Sequence, residues 1–177
     1  AWRRKASSIH EGNNKRRSRR VACAKAIWVA EKFAAEPAIY FPQFCDFRGR
    51  VYARPLHLTP QGADYSKALL RFADGIELGE EGACWLAVHG ANVWGYDKAD
   101  LQARVDWVQD NEENILAVVE NPLDNIWWSQ ADKPFQFLAF CYEWAGFLRE
   151  GFSFCSKLPV ALDGSCNGCL LYTSPSP

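Results

Sequence analysis

The sequence predicts a predominantly helical α+β fold, and three observations carry that prediction. Residues 15–36, 64–73, 80–93, 100–119 and 134–148 place apolar side chains at the three- and four-residue steps of a helix face. Between the first two windows, residues 38–58 change to β-branched and aromatic residues interrupted by Pro and Gly, the chemistry of strands and turns. Near the end, Leu158-Pro159-Val160-Ala161-Leu162 is a short apolar run of strand type that delivers Asp163-Gly164.

In chain order, Lys15 to Glu36 is rich in Ala, Lys, Arg and Glu, with Val21, Ala24, Ile27, Trp28 and Ala35 on one broad stripe, and Pro37 closes the helix. Strands are expected around Ile39-Tyr40-Phe41 and Val51-Tyr52-Ala53, joined through Arg48-Gly49-Arg50, where Gly49 permits a positive φ. Asp64 or Ser66 is the candidate cap for a helix over Lys67 to Ala73, with Gly75 as its stop. Glu80 to Val93 forms the next helix, and Asp100 to Val119 another that Asn111 can divide in two. Pro134 opens the last helix, in which Phe135, Leu138, Ala139, Tyr142 and Phe147 are candidates for burial, and Gly151 follows it.

With 49% hydrophobic residues and 8 Trp in 177 residues, the chain has material for a packed core, which excludes a disordered tail or linker. No apolar run approaches the roughly 20 residues that span a bilayer, and no signal-peptide pattern opens the chain. The Ala1-Trp2 opening and the lack of any Met predict an internal segment of a longer protein. The net charge of −1 hides an asymmetry: residues 1–20 carry +7 and the remainder −8. A basic block beside an acidic body points to a polyanion held locally, or to a solvated terminus.

Seven Cys without paired spacing argue against a disulfide framework. Cys166 and Cys169 form a lone C-x-x-C, with no second pair or His at zinc-ligand spacing, so a redox or metal role stands only as a minor alternative. His89 lacks a second His or carboxylate at fixed spacing and reads as a packed helix residue. Trp127 and Trp128 can stack on bases, but neighbours on a helix face apart, so at least one reads as core. Asp163 puts a carboxylate at the end of a predicted buried strand, followed by Gly164, a small and polar setting that suits a hard divalent cation. Taken alone, Asp-Gly also signals a tight turn.

The segments Tyr40-Phe41-Pro42, Asp46-Phe47-Arg48-Gly49-Arg50-Val51-Tyr52, Pro60-Gln61-Gly62, Ser66-Lys67, His89-Gly90-Ala91-Asn92, Asn121-Pro122-Leu123, Trp127-Trp128, Phe137-Leu138-Ala139-Phe140-Cys141 and Asp163-Gly164-Ser165-Cys166-Asn167-Gly168, in this order, resemble single-subunit phage-type DNA-directed RNA polymerases. The resemblance covers approximately residues 1–169, and His89-Gly90-Ala91-Asn92 looks more like the phage branch than the mitochondrial one. It implies part of a right-hand polymerase fold: residues 1–36 a basic helical segment leading into the palm, and residues 37–168 an incomplete palm with its associated helices. It further implies template-directed RNA synthesis from ribonucleoside triphosphates on a DNA template by two-metal nucleotidyl transfer.

Asp163 then matches the palm aspartate that binds catalytic Mg²⁺, helped by the carbonyl of Gly164. Arg48, Arg50 and Tyr52 match the element lying against the template and RNA hybrid, with Arg50 the arginine expected to contact a phosphate, against the plainer reading of a surface Arg paired with an acidic neighbour such as Asp46. Lys67 matches a basic position near the hybrid, against the plainer reading of a solvated lysine, and Arg16 and Arg19 match the basic start of the helix that approaches it. A monomeric parent acting in a host cell's cytoplasm follows for a phage-encoded enzyme, and a mitochondrion or other organelle for the other branch. The tail at 169–177 does not match, and Pro175 and Pro177 forbid a continuing helix there. The second palm aspartate and the nucleotide-gripping helix are absent, so the chain alone is expected not to polymerise RNA. A non-catalytic nucleic-acid-binding module built on the basic helix and the Arg-Gly-Arg turn is the alternative function.

Overall fold

The computed structural model describes residues 2–161. Its elements run α1 (Trp2–Phe33), β1 (Gln43–Cys45), β2 (Val51–Ala53), α2 (Asp64–Ala68), β3 (Ile76–Glu77), α3 (Gly79–Trp94), α4 (Leu101–Asp110), α5 (Glu112–Glu120), a 3-10 turn (Ile126–Gln130), α6 (Pro134–Glu150), a second 3-10 turn (Gly151–Ser153) and β4 (Cys155–Ser156). Strands pair as two small antiparallel sheets, β1 with β2 and β3 with β4. The predicted class, helical with minor β structure, is the one observed.

The core lies where α3 and α6 pack together with α4 and α5. Leu86, Ala87, Ala91 and Val93 of α3 meet Val108, Ile115 and Val118, and Phe137, Phe140, Cys141 and Trp144 of α6. Burial of each large aliphatic or aromatic side chain contributes about 1.5–3 kcal/mol. Gly90 lets the helices approach: a Cβ there would enter the ring of Phe140. Beside this core, Trp94, Trp107, Trp127 and Phe137 form an aromatic cluster, with Trp94 and Trp127 centroids 4.4 Å apart and Trp127 edge-on to Phe137 at 5.5 Å. Trp128 turns the other way and donates its indole N–H to Pro122 O at 2.9 Å. Both adjacent tryptophans are thus half-buried and engaged in packing, as the sequence predicts for at least one.

Asn111 divides the fourth predicted helix into α4 and α5, and Asp100 caps α4 by accepting from Ala103 N at 2.8 Å. Several expectations are corrected. The first helix begins by Trp2, not Lys15, since nothing in residues 2–14 breaks a helix except Gly12, and it ends at Phe33. Its stripe of Val21, Ile27 and Trp28 is exposed; Ala26 is buried, flanked by half-buried Cys23 and Ala30 on the same face. Ile39-Tyr40-Phe41 forms no strand, because β1 begins after Pro42, whose carbonyl accepts from Arg54 N.

The predicted helix over 67–73 is only the five-residue α2, and neither candidate residue caps it. Ser66 Oγ bonds Thr59 across the preceding turn, and Asp64 caps α6 instead. Finally, α6 buries Phe137, Phe140, Cys141 and Trp144, while Phe135 and Tyr142 of the predicted face are exposed. With an apolar residue at nearly every position, the periodicity left two faces open, and contact with α3 selected the one opposite Gly90. The run at 158–161 carries no strand; the pairing lies just before it, in β4.

Candidate nucleic-acid interface and the approach to Asp163

The hairpin that carries Arg48 and Arg50 is built around one carboxylate. Its register is Gln43 to Ala53, Phe44 to Tyr52 and Cys45 to Val51. At the tip, Asp46 Oδ1 accepts from the backbone N–H groups of Arg48 (2.9 Å) and Arg50 (3.0 Å), while Oδ2 takes a bidentate contact from Arg48 Nε (3.0 Å) and Nη2 (2.8 Å). Gly49, at φ 76°, completes the turn as its sequence position predicts. The Arg50 backbone N–H, followed by the Arg48 side chain and backbone, holds the Asp46 carboxyl below its usual range and outweighs its slight desolvation.

The two arginines therefore differ. It is Arg48 that pairs with Asp46 through its side chain, whereas Arg50 reaches Asp46 only through its backbone N–H. Arg50 is exposed, and its guanidinium has no partner among the described residues. Tyr52 packs tilted against Phe44, with centroids 5.7 Å apart, and its hydroxyl lies 3.5 Å from Arg48 Nη2. Arg54 lies over the other partner of that pair, 5.8 Å from the Phe44 centroid, and adds a further cation to the exposed hairpin.

Gln61, which the sequence marks only as part of Pro60-Gln61-Gly62, latches the hairpin. Its Oε1 accepts from Ala53 N at 2.8 Å, and its Nε2 donates to Val51 O at 3.0 Å, so the side-chain amide pairs with the open edge of β2. A residue eight positions beyond β2 in a loop carries no periodic signal for such a role. Lys67 sits exposed on α2, which is pinned by Ser66 to Thr59 and by Asp64 to the start of α6. Arg16 and Arg19 project from the exposed part of α1 without ion pairs among the described residues, whereas neighbouring Lys15 pairs with Glu11 at 2.6 Å. A cavity of about 360 Å³ lined by Arg17, Ser18, Val21, Ala22, Lys25 and His57 brings the basic half of α1 against the loop that follows β2. Nothing described joins Arg16 or Arg19 directly to Arg50.

Asp163, Gly164 and the Cys166/Cys169 pair lie outside the described residues. Among the described residues, no group of three or more His, Cys, Asp or Glu is placed to hold a metal ion. What can be followed is the path toward Asp163. β4 pairs Ser156 with Ile76 and Cys155 with Glu77. Ser156 Oγ donates to Glu143 Oε2 at 2.7 Å, and Arg71 Nη2 binds Glu143 Oε1 at 2.5 Å, which satisfies a carboxylate buried on α6. Lys157 O accepts from Phe72 N at 2.9 Å, and Lys157 Nζ donates to Ala73 O at 2.7 Å. Leu158 packs on the core. Last, Ala161 N donates to Nδ1 of His89 at 3.3 Å, two residues before Asp163. His89 is buried as predicted, and burial, followed by the positive charge of Lys133, depresses its pKa to about 4, so the imidazole is neutral and free to accept.

The family model for DNA-dependent RNA polymerase matches residues 76–174, more than half of the chain and across the position of Asp163. The chain belongs to that family. It is similar to T7 RNA polymerase of Escherichia phage T7, at 45% identity over 168 residues, covering 95% of this chain and 19% of the phage protein. A DNA-directed RNA polymerase of Enterobacteria phage K11 is also 45% identical over 168 residues, 95% of this chain and 18% of that protein. The mitochondrial DNA-directed RNA polymerase of Neurospora crassa is 41% identical over 177 residues, 98% of this chain and 12% of the relative. The chain thus spans about a fifth or less of the length of these polymerases. Among the described residues, no helix is long and apolar enough to cross a membrane.

Proposed function

We propose that this chain supplies to a DNA-directed RNA polymerase the segment that carries one metal-binding carboxylate, Asp163, together with a cationic surface for the template and RNA hybrid. The observation that supports this reading best is the 45% identity to a phage polymerase over 95% of the chain. The donor chemistry of Asp163 and the Gly164 carbonyl fits Mg²⁺, a hard cation that needs one or two carboxylates and completes its shell with water and phosphate oxygens. When bound, Mg²⁺ ions supply charge neutralisation at the attacking 3′-hydroxyl and at the departing pyrophosphate.

The remaining work belongs to side chains. Arg50, exposed and unpaired among the described residues, offers two parallel N–H donors to a backbone phosphate. Arg48 shapes the turn through Asp46 and shares its charge with it. Tyr52 presents an aromatic face beside them, suited to a base or sugar. Lys67, Arg16 and Arg19 add charge that positions nucleic acid without reading its sequence. The parent polymerase acts as a monomer on a DNA template with ribonucleoside triphosphates, in the host cytoplasm if phage-encoded.

The test is a chimera in which residues 2–168 replace the matching segment of the phage T7 enzyme. Mg²⁺-dependent synthesis of template-encoded transcripts is the predicted result. A chimera that folds and binds template yet makes no RNA would favour the non-catalytic nucleic-acid-binding module.

A further inference from the structure

A second cationic surface lies on the side of α1 turned away from Arg16 and Arg19. Arg17, Ser18, Val21, Ala22 and Lys25 recur at the steps of one helical face. At 3.6 residues per turn, that face points roughly half a turn away from the one that Arg16 and Arg19 share. Together with His57, from the loop between β2 and α2, these residues line the cavity of about 360 Å³. Its walls are anchored right beside the charges. Ala26, next to Lys25, is buried, and so are Leu58 and Thr59, next to His57. Thr59 is tied to α2, its N–H donating to Ser66 Oγ at 2.9 Å and its carbonyl accepting from the same hydroxyl at 3.0 Å. Ser18 and Ala22 are small and leave the space between the walls open. No carboxylate lines the cavity, and among the described residues none of Arg17, Lys25 and His57 has an ion pair.

We propose that this cavity binds the phosphodiester backbone of a single nucleic-acid strand, on a track separate from the one offered by Arg16 and Arg19. Cations that face a shared recess without a counter-charge repel one another, and a bound anion turns that repulsion into attraction. Spacing selects the kind of anion. Arg17 and Lys25 are eight residues apart, about 12 Å along the helix axis, so in extended conformations they meet different phosphates of one strand. Arg17 offers forked donors to a phosphate, Lys25 a point charge, and His57 a ring N–H from the opposite wall. Val21 and Ala22 lie between the two cations of α1 and give the sugar an apolar floor. A duplex is excluded by shape, because a convex rod does not enter a recess walled by a helix on one side and a loop on the other. None of these contacts reads a base, so the strand is held whatever its sequence. The site uses no part of the metal assignment and stands apart from it.

The experiment follows the fluorescence anisotropy of a labelled oligo(dT) strand titrated with the 177-residue chain across a salt series. Arg17→Ala and Lys25→Ala should each reduce the salt slope by about 0.7, the single-strand value for one phosphate contact. Lys32→Ala is the control for charge alone. It removes one cation from the same helix outside the cavity, where Lys32 Nζ lies 5.6 Å from the centroid of the Trp28 ring, and it should leave the slope unchanged. His57→Glu places a carboxylate in the cavity and should weaken strand binding roughly tenfold. Arg17, Lys25 and His57 are exposed, so these substitutions leave the core intact. Equal effects of Lys25→Ala and Lys32→Ala would mean diffuse attraction to a basic helix and overturn the proposal. A parent chain that binds no strand at low salt overturns it too, as does uridine monophosphate that competes as well as the strand at equal nucleotide concentration. Failure of the hybrid surface reads out separately, as a hybrid-binding slope that Arg19→Ala leaves unchanged while Lys25→Ala still lowers the oligo(dT) slope.

Discussion

Replacing Asp64 with Ala removes a helix cap that is supplied from 71 residues away. Asp64 Oδ2 accepts from Phe135 N at 2.7 Å, and Oδ1 accepts from Gln136 N at 3.2 Å and Gln136 Nε2 at 3.0 Å. These are first-turn N–H groups of α6, where Pro134 stands at the start and the immediately preceding Lys133 makes no side-chain cap bond. Loss of an N-cap costs about 1 kcal/mol, up to about 2 in well-ordered sites. Loss of the negative charge at the positive end of the helix dipole adds about 0.3–1 kcal/mol. Asp64→Ala should therefore destabilise the chain by about 2 kcal/mol, and Asp64→Asn, which keeps an acceptor without the charge, by about 1. Urea unfolding followed by far-UV circular dichroism measures both. Because the same bonds tie α2 to α6, the position of Lys67 depends on them too. An Asp64→Ala midpoint within error of the parent chain, at unchanged m-value, would refute the reasoning.

Three other outcomes follow from named contacts. Gly90→Ala forces a methyl into the ring of Phe140 and should cost about 1–3 kcal/mol, read from the same unfolding curves and relieved in part by Phe140→Leu. Arg50→Ala and Arg19→Ala should each reduce the salt slope of hybrid binding by the chimera by about one phosphate contact, measured by fluorescence anisotropy across a salt series. Arg48→Ala should reduce it less, because Asp46 already shares that charge. His89, at a pKa of about 4 in the folded chain, is lowered from its unfolded value near 6.5. Between those values the unfolded chain takes up a proton that the folded chain refuses, so stability falls as pH drops from about 6.5 to about 4, by up to about 3 kcal/mol. The His89→Asn variant should lose that slope in pH-dependent thermal melts.

The helices from α3 to α6 were legible because caps, breakers and periodicity agree there: Asp100 begins α4, Asn111 divides it from α5, Pro134 opens α6 and Gly151 ends it. Gly49 and the turn it serves were legible for the same local reason. What could not be read were choices made by distant contacts. Asp64 looks like a cap for the residues that follow it, yet its oxygens are taken by α6. The α6 sequence is apolar around most of its circumference, and its buried face is set by the close approach at Gly90. The candidate interface divides along the same line. An ion pair between Asp46 and a nearby arginine lies within one turn and was legible, although not which arginine makes it, whereas Gln61 on the edge of β2 and His89 on Ala161 join segments eight and 72 residues apart, which no periodic pattern encodes.

The most direct test of the central claim separates catalysis from nucleic-acid binding in one preparation. Single-nucleotide extension and hybrid affinity are measured together for the chimera, for Asp163→Ala and for Arg50→Ala. Asp163→Ala should bind the hybrid as the parent chimera does and lose extension by about three orders of magnitude or more, equivalent to about 4 kcal/mol of transition-state stabilisation. Arg50→Ala should show the reverse, weaker binding with extension retained at saturating hybrid. Extension that persists in Asp163→Ala would show that Asp163 is not a metal-binding carboxylate of the reaction.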